Sequence, residues 1–251
     1  MFADSDLTLD DFLGGRLRLW QPLRGYRAAT DPVLLAAAVD ARAGQSVLDL
    51  GCGGGTAGLC LARRVPGLSL AGLELQPDYA DLALRNARLN QLEFDVHTGD
   101  LTQMPGALQR GFDHVIANPP YYANAGSPSP DAGRDLALRA QVPLADWVVA
   151  GAKRLTPGGW LTLIFATTLL PEALAASRTL GSCAVLPLAA RAGEPAKRVI
   201  LQARKGGRAG LRLLSPLVLH AGIAHDTDRN SYLPEVIAIL RDGAGLTDNF
   251  K

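Results

Sequence analysis

Asn118-Pro119-Pro120-Tyr121 follows directly on the apolar run Phe112 to Ala117. These residue types suit a planar amine, which meets one acceptor in the Asn118 carboxamide and a second in a carbonyl stiffened by proline, with the Tyr121 ring to lie against. An amine held that way is placed to receive a methyl group. Upstream, Asp49-Leu50-Gly51-Cys52-Gly53-Gly54-Gly55 forms a glycine-rich loop at a distance that suits one doubly wound α/β domain.

The loop by itself supports two ligands. Gly53 to Gly58 satisfies the dinucleotide pattern G-x-G-x-x-G, and Glu74 lies 16 residues beyond Gly58, near the usual place of a ribose-binding acid. Asp49, Gly51, Gly53 and Gly55 equally fit the Asp-x-Gly-x-Gly-x-Gly loop of S-adenosylmethionine enzymes, and two details favour that cofactor. Asp49 can accept a hydrogen bond from an ammonium group but would repel a pyrophosphate. Asp100, at the end of a later strand, can accept from an adenine amine. The candidate cofactor set is therefore Asp49, Gly51, Cys52, Gly53, Gly55, Glu74 with Leu75, Asp100 with Leu101, and Asn118.

Alternating elements must carry these residues. Thr30-Asp31-Pro32 places a capping side chain before a proline at the start of a helix over Val33 to Val39. Ser46 to Leu50 reads as a buried strand and Thr56 to Arg64 as the helix that the glycines open into. Ser69 to Leu73 (strand), Asp78 to Leu89 (helix), Phe94 to His97 and Phe112 to Ala117 (strands) continue the alternation, which means a mostly parallel sheet. Asn124 to Gly133 reads as a polar loop, followed by a helix near Leu144 to Leu155, a turn at Pro157-Gly158-Gly159, a strand over Trp160 to Ala166 and a helix over Pro171 to Leu180. Cys183 to Leu186, Arg198 to Arg204 and Leu213 to Leu219 read as strands of a β-richer C-terminal part. Residues 1–25 read as an irregular arm, 26–190 as the core and 191–251 as strands and a helix completing the same single domain.

At 251 residues and 48% hydrophobic content the chain can bury a substantial core. It has no apolar run of about 18 residues and no basic-then-apolar leader, so a soluble cytoplasmic protein is expected. Cys52, Cys60 and Cys183 suit neither a disulfide framework nor zinc, and His97, His114, His220 and His225 show no metal spacing. Cys52 reads as a small space-filler rather than a nucleophile. The formal charge is only +1, but between Arg191 and Arg212 seven cationic residues face one acid, Glu194. A second cluster comprises Arg16, Arg18, Arg24 and Arg27. Either could be a solvated face or a phosphate-binding one.

The glycine loop, Glu74 and Asn118 to Tyr121 together resemble class I methyltransferases that act on exocyclic or side-chain amide nitrogens. Gln21 to Ala38 (QPLRGYRAATDPVLLAAA) and Arg198 to Gly206 (RVILQARKG) look more narrowly like the bacterial tRNA (adenine-N6)-methyltransferases, whose members modify the adenosine beside the anticodon of a valine tRNA. The resemblance implies S-adenosyl-L-methionine as cofactor, tRNA as partner and adenine N6 as acceptor, with Asn118, Pro119, Pro120 and Tyr121 catalytic. It places Thr30 and Asp31 beside the methionine end of the cofactor. Arg24, Tyr26, Arg27, Lys197, Arg198, Arg204, Lys205 and Arg208 are the candidate RNA contacts. Tyr26 and Tyr122 are also candidates to line the base pocket, and Ser127 to Pro130 to close over it. Glutamine-N5 methylation of a protein and guanine-N2 methylation of ribosomal RNA make similar demands on Asn118 and Pro119. A catalytically silent RNA-binding module and a nicotinamide oxidoreductase are alternatives of other classes.

Overall fold

The computed structural model describes residues 1–120, 142–222 and 231–250. Two strands, β1 (Leu7–Phe12) and β2 (Leu17–Pro22), precede helix α1 (Asp31–Ala38). Then come β3 (Ser46–Leu50), α2 (Thr56–Arg64), β4 (Ser69–Glu74), α3 (Pro77–Leu89), β5 (Asp95–Thr98), β6 (Phe112–Ala117), α4 (Leu144–Arg154) and β7 (Leu155–Ala166). The remainder is α5 (Leu170–Ala176), β8 (Leu180–Ala189), β9 (Arg198–Lys205), the short β10 (Arg212–Leu213) and β11 (Leu217–Val218), and α6 (Pro234–Asp242).

The main sheet has the order β10-β8-β9-β7-β6-β3-β4-β5, with β11 also on β8. Every described pairing is parallel except those of β9, which runs antiparallel between β7 and β8. The expected doubly wound, mostly parallel α/β fold is therefore present, and its C-terminal part is strand-rich. From β3 the chain steps outward to β4 and β5, then returns to lay β6 on the other side of β3. That reversal opens a crevice at the carboxyl ends of β3 and β6, where open α/β sheets take their ligands. Val47, Leu48 and Leu50 of β3 and Val115, Ile116 and Ala117 of β6 are buried, as strands covered on both faces must be.

The first 25 residues are not an irregular arm. Leu17 and Leu19 alternate with Arg18 and Trp20 on β2, and Leu13-Gly14-Gly15, all at positive φ, reverses the chain between the two strands. A lone hairpin is marginal in water, and this one is held by asparagine. Asn86 Oδ1 accepts from Trp20 N at 2.7 Å, and its Nδ2 donates to Trp20 O at 3.1 Å. Asn90, one helical turn on, repeats the pattern on Arg18, at 3.0 and 2.6 Å. Two carboxamides four residues apart, one on α3 and one at its C-cap, thus stand in for a neighbouring strand along the open edge of β2. Asn86 Nδ2 also donates to Gly54 O at 2.9 Å, joining hairpin, helix and glycine loop at one buried side chain.

Other boundaries move for local reasons. Pro157 to Gly159 lies within β7 as an irregularity in its register with β6, with Gly158 at φ +83°, so the strand begins at Leu155. Pro216 splits the expected 213–219 strand into β10 and β11. The helix expected over 171–180 ends at Ala176, and β8 begins at Leu180. Among the described residues no helix is long and apolar enough to cross a membrane. The polar loop at 124–133 lies outside the described residues.

Asn86→Ala should lower stability by at least about 2 kcal/mol, because each buried main-chain group stripped of its partner costs about 1–3 kcal/mol. Urea unfolding of the variant checks this; a loss below about 0.5 kcal/mol, typical of surface changes, would show that the hairpin docks by apolar packing alone.

Candidate functional site

β3 ends at Asp49 and Leu50, and the chain turns through Gly51, Gly53 and Gly55, all at positive φ, into α2. At Gly51 (φ +64°) a Cβ would come within 2.5 Å of the Trp147 ring of α4, so only glycine lets the loop pass beneath that indole. The first turn of α2 has no capping side chain of its own, since Gly55 occupies the N-cap position. Asp49 supplies the acceptor from the strand behind: its Oδ2 takes the Gly58 N–H at 3.0 Å. This carboxylate is 2% exposed. Burial, with Glu74 nearby, pushes its pKa up to about 7 against the opposing pull of Gly58.

Glu74, at the end of β4, clamps the same loop. Its two oxygens accept from Gly53 N at 2.8 Å and Gln76 N at 2.9 Å. Burial raises its pKa, against those backbone bonds. Asp100 stands third along the edge, accepting from Thr102 N and Oγ1 at 2.8 Å each.

These acids border a cleft of about 350 Å³, within the range that small-molecule sites occupy. Asp49, Gly51, Cys52, Gly53, Glu74, Leu75, Asp100, Leu101, Asn118, Pro119 and Pro120 all line it. Gly55 does not; it lies behind the loop, where a Cβ would crowd Leu59, Phe94 and Ala83. Cys52 is buried with its thiol pKa raised well above the ordinary value by burial, so it stays protonated. Tyr26, Tyr79, Gln76 and Trp147 also line the cleft. Tyr26 is among the sequence-predicted RNA or base contacts; the other three carry no local signal, because Tyr79 and Trp147 sit on amphipathic helices where an aromatic reads as core. Tyr121, Tyr122 and Ser127 to Pro130 lie outside the described residues.

Thr30 and Asp31 do not border the cleft, although Pro32 does. The Thr30 side chain makes no capping hydrogen bond; its carbonyl accepts from Leu34 N instead. Asp31 Oδ2 lies 3.2 Å from Arg198 Nε. The basic run is likewise not one surface. Because β9 runs antiparallel, Lys197 and Arg198 fall on the cleft edge of the sheet, whereas Arg204, Lys205 and Arg208 fall on the opposite edge, roughly 20 Å away at strand rise. Lys205 Nζ caps the carbonyls of Ala152 and Leu155, and Arg204 lies over the Trp160 ring. Near the N-terminus Arg24 is exposed, whereas Arg27 is bound to Asp10, Thr8 and the Pro22 carbonyl.

The site's own geometry decides between the two cofactor classes. A dinucleotide would set its pyrophosphate on the α2 N-terminus, but the Asp49 carboxylate already takes the Gly58 N–H of that turn and would repel it. Three acids around one cleft suit a ligand bearing an ammonium, a sulfonium, a ribose diol and an adenine amine.

Comparison with known proteins agrees. A family model described as methyltransferase small domain matches residues 29–189. The chain belongs to that family. A tRNA1(Val) (adenine(37)-N6)-methyltransferase from Actinobacillus pleuropneumoniae serotype 7 is 30% identical over 177 residues, covering 68% of this chain and 74% of that protein. Another of the same name, from Actinobacillus succinogenes, is 26% identical over 86% of this chain and 89% of its own. Among solved structures, a predicted O-methyltransferase from Agrobacterium tumefaciens superposes with a TM-score of 0.69 at 26% identity, covering 86% of this chain and 97% of that one. The Thermus thermophilus 16S rRNA N2 G1207 methyltransferase, in complex with AdoMet and guanosine, shares the fold at TM-score 0.55 and 21% identity, covering 79% of this chain and 50% of that one. As a member of the methyltransferase small-domain family the chain is an S-adenosylmethionine-dependent methyltransferase, and the cleft's donor set fits that cofactor.

A buried acid near neutrality has a measurable consequence. With a folded pKa of about 7 against about 4 in the unfolded chain, Asp49 binds its proton more tightly when folded, so its contribution weakens as pH rises between those values. The melting temperature of ligand-free Asp49→Asn relative to wild type should therefore climb from pH 5 to 7 and level off above. A difference that does not vary with pH would show that Asp49 is already ionised throughout.

Proposed function

We propose that this methyltransferase acts on the exocyclic N6 of an adenine in tRNA, beside the anticodon. The observation that carries the reading is the seating of Asn118 and Pro119 on the wall of the same cleft as Asp49 and Glu74. An N6 amine is a poor nucleophile because its lone pair is delocalised into the ring. The Asn118 carboxamide oxygen and the Pro119 carbonyl, by accepting its two hydrogens, would draw the nitrogen toward tetrahedral geometry and free that lone pair. Bound beside them, S-adenosylmethionine supplies a methyl group already activated by a positively charged sulfur. No strong base is then required, and positioning supplies most of the acceleration.

Glu74 is suited to the ribose hydroxyls, Asp100 to the adenine amine and Asp49 to the ammonium end, with Gly51 and Gly53 allowing close backbone approach. The target base must leave its stack to reach Asn118, and Tyr121 is the ring we assign to stack on it. Of the described candidate RNA contacts, Lys197 and Arg198 lie on the cleft edge, and we assign them to phosphates. The names of the Actinobacillus relatives favour tRNA adenine over a protein glutamine or a ribosomal guanine.

Mass spectrometry of nucleosides from tRNA incubated with protein and methyl donor should show N6-methyladenosine. Label entering only protein, or only ribosomal RNA, would sink this substrate. Asn118→Ala should abolish turnover while S-adenosylhomocysteine affinity by calorimetry stays within a few fold; near-normal turnover would remove Asn118 from its role. Glu74→Ala should weaken that affinity about tenfold or more, since the lost acceptor leaves buried polar groups unsatisfied at about 1–3 kcal/mol.

A further inference from the structure

Two aromatic rings meet the cofactor loop. Trp147 overlies Gly51, and Tyr26 overlies Gly53, its Cε1 and Cδ1 3.6 and 3.8 Å from where a Gly53 Cβ would be. They differ in how much surface each still has to offer. Trp147 is 8% exposed and packed into the core, whereas Tyr26 lines the same cleft with 47% of its surface uncovered. An aromatic ring left open at a small-molecule cleft gains when a ligand covers it.

The gain requires a ring that is already in place. Tyr26 N donates to Tyr79 Oη at 2.7 Å, and Tyr79 Oη donates to Tyr26 O at 3.3 Å. A main-chain N–H only donates and a carbonyl only accepts, so both roles of the Tyr79 hydroxyl are fixed. Tyr79 is itself buried on α3. Gly25, at φ +107°, makes this approach possible, because a Cβ there would come within 2.6 Å of that hydroxyl. The same segment is tied on either side of Tyr26, by Ala28 N on Gln21 Oε1 at 2.7 Å and by Arg27 Nη1 on Pro22 O at 2.8 Å. Tyr26 thus belongs to the fixed wall of the cleft.

Its place along the cleft indicates which part of a ligand it meets. Gly53 N rests on Glu74, the acid assigned to the ribose, and the loop begins at Asp49, the acid assigned to the ammonium end. The chain that joins those two ends of the cofactor carries the sulfur, and it must cross the stretch between the two acids, over Gly53. The Tyr26 hydroxyl lies 3.3 Å from Asn118 Nδ2, so the far end of the ring borders the acceptor side.

We propose that Tyr26 is a cofactor-binding residue rather than an RNA contact, its ring closing the cleft over Gly53 and packing on the sulfur-bearing chain of S-adenosylmethionine. The inference rests on the roles given above to Asp49 and Glu74.

Calorimetric titration with S-adenosylhomocysteine tests it. Tyr26→Phe keeps the ring and should bind within about twofold of wild type, whereas Tyr26→Ala should bind about tenfold more weakly because the apolar contact is lost. Gly25→Ala keeps the tyrosine but strains the backbone and sets a Cβ against the Tyr79 hydroxyl, so it should lower affinity about threefold or more; it decides the matter if Tyr26→Ala does not fold. Wild-type affinity in Tyr26→Ala or Gly25→Ala, or a loss in Tyr26→Phe equal to that in Tyr26→Ala, would overturn the proposal. So would a loss of tRNA affinity by gel shift in Tyr26→Ala with unchanged S-adenosylhomocysteine affinity, which would return Tyr26 to the RNA contacts. Full affinity in Glu74→Ala would instead remove the assignment of the acids, a result distinct from a Glu74-dependent site that Tyr26→Ala leaves intact.

Discussion

One buried hydrogen bond, from the Gly58 N–H to the Asp49 carboxylate, governs the donor half of the site. It ties strand β3 to the first turn of α2, and so sets the path of the glycines between them. It also settles the ligand's charge. A helix N-terminus attracts anions, and here the protein's own anion has taken that place. The cleft is left with acids facing inward; burial, and then the neighbouring Glu74, raises the Asp49 pKa, so its charged form is disfavoured in the absence of a cation. A cationic cofactor relieves that cost, and an anionic one would add to it.

The acceptor half is held by a different logic. Asn118 leaves β6 at the carboxyl end of the sheet because two prolines forbid a further ladder. Its neighbours across the crevice come from the opposite end of the chain: Tyr26 from the segment after the hairpin, pinned by Tyr79 of α3. That helix also carries Asn86 and is capped by Asn90, which together hold the hairpin, and Asn86 reaches the glycine loop through Gly54. A single helix thus references the N-terminal segment, the cofactor loop and, through Tyr26, the Asn118 carboxamide to one frame. This arrangement explains why the hairpin belongs to the catalytic architecture although none of its own side chains lines the cleft.

The parts of the site legible in the sequence were those whose chemistry is local. Gly51 to Gly55 after an apolar strand, and prolines after another, announce a turn at a strand end whatever the rest of the chain does, and ligands gather at strand ends in such sheets. Asp49, Glu74, Asp100 and Asn118 followed from those positions. The hairpin was signalled only weakly, by Leu17-Arg18-Leu19 alternation and Gly14-Gly15, and its partner strand is replaced by two helical asparagines, which no period-two pattern announces. Trp147 and Tyr79 were hidden because the physics that buries an aromatic in a core and the physics that lines a cleft with it leave the same helical spacing. The Thr30 cap failed for another reason: Thr30 is already in the helical region of φ/ψ, where an N-cap side chain cannot fold back.

The basic segment shows how sequence proximity misleads about surfaces. Within Arg191 to Arg212 the charges form one run, yet a single antiparallel strand carries the chain from the cleft edge of the sheet to the far edge, so the run becomes two groups facing opposite ways. One member, Lys205, spends its charge on the carbonyl end of α4, where a cation is favourable for the fold alone. What remains on the cleft edge is Lys197 with Arg198, the latter shared with Asp31, and Arg191, which is buried just past the end of β8. Among the described residues, the cleft-edge charges of this run therefore lie beyond β7, and Asp49, Glu74 and Asp100 lie toward β3, β4 and β5. The sheet order itself sets these two groups of charge apart.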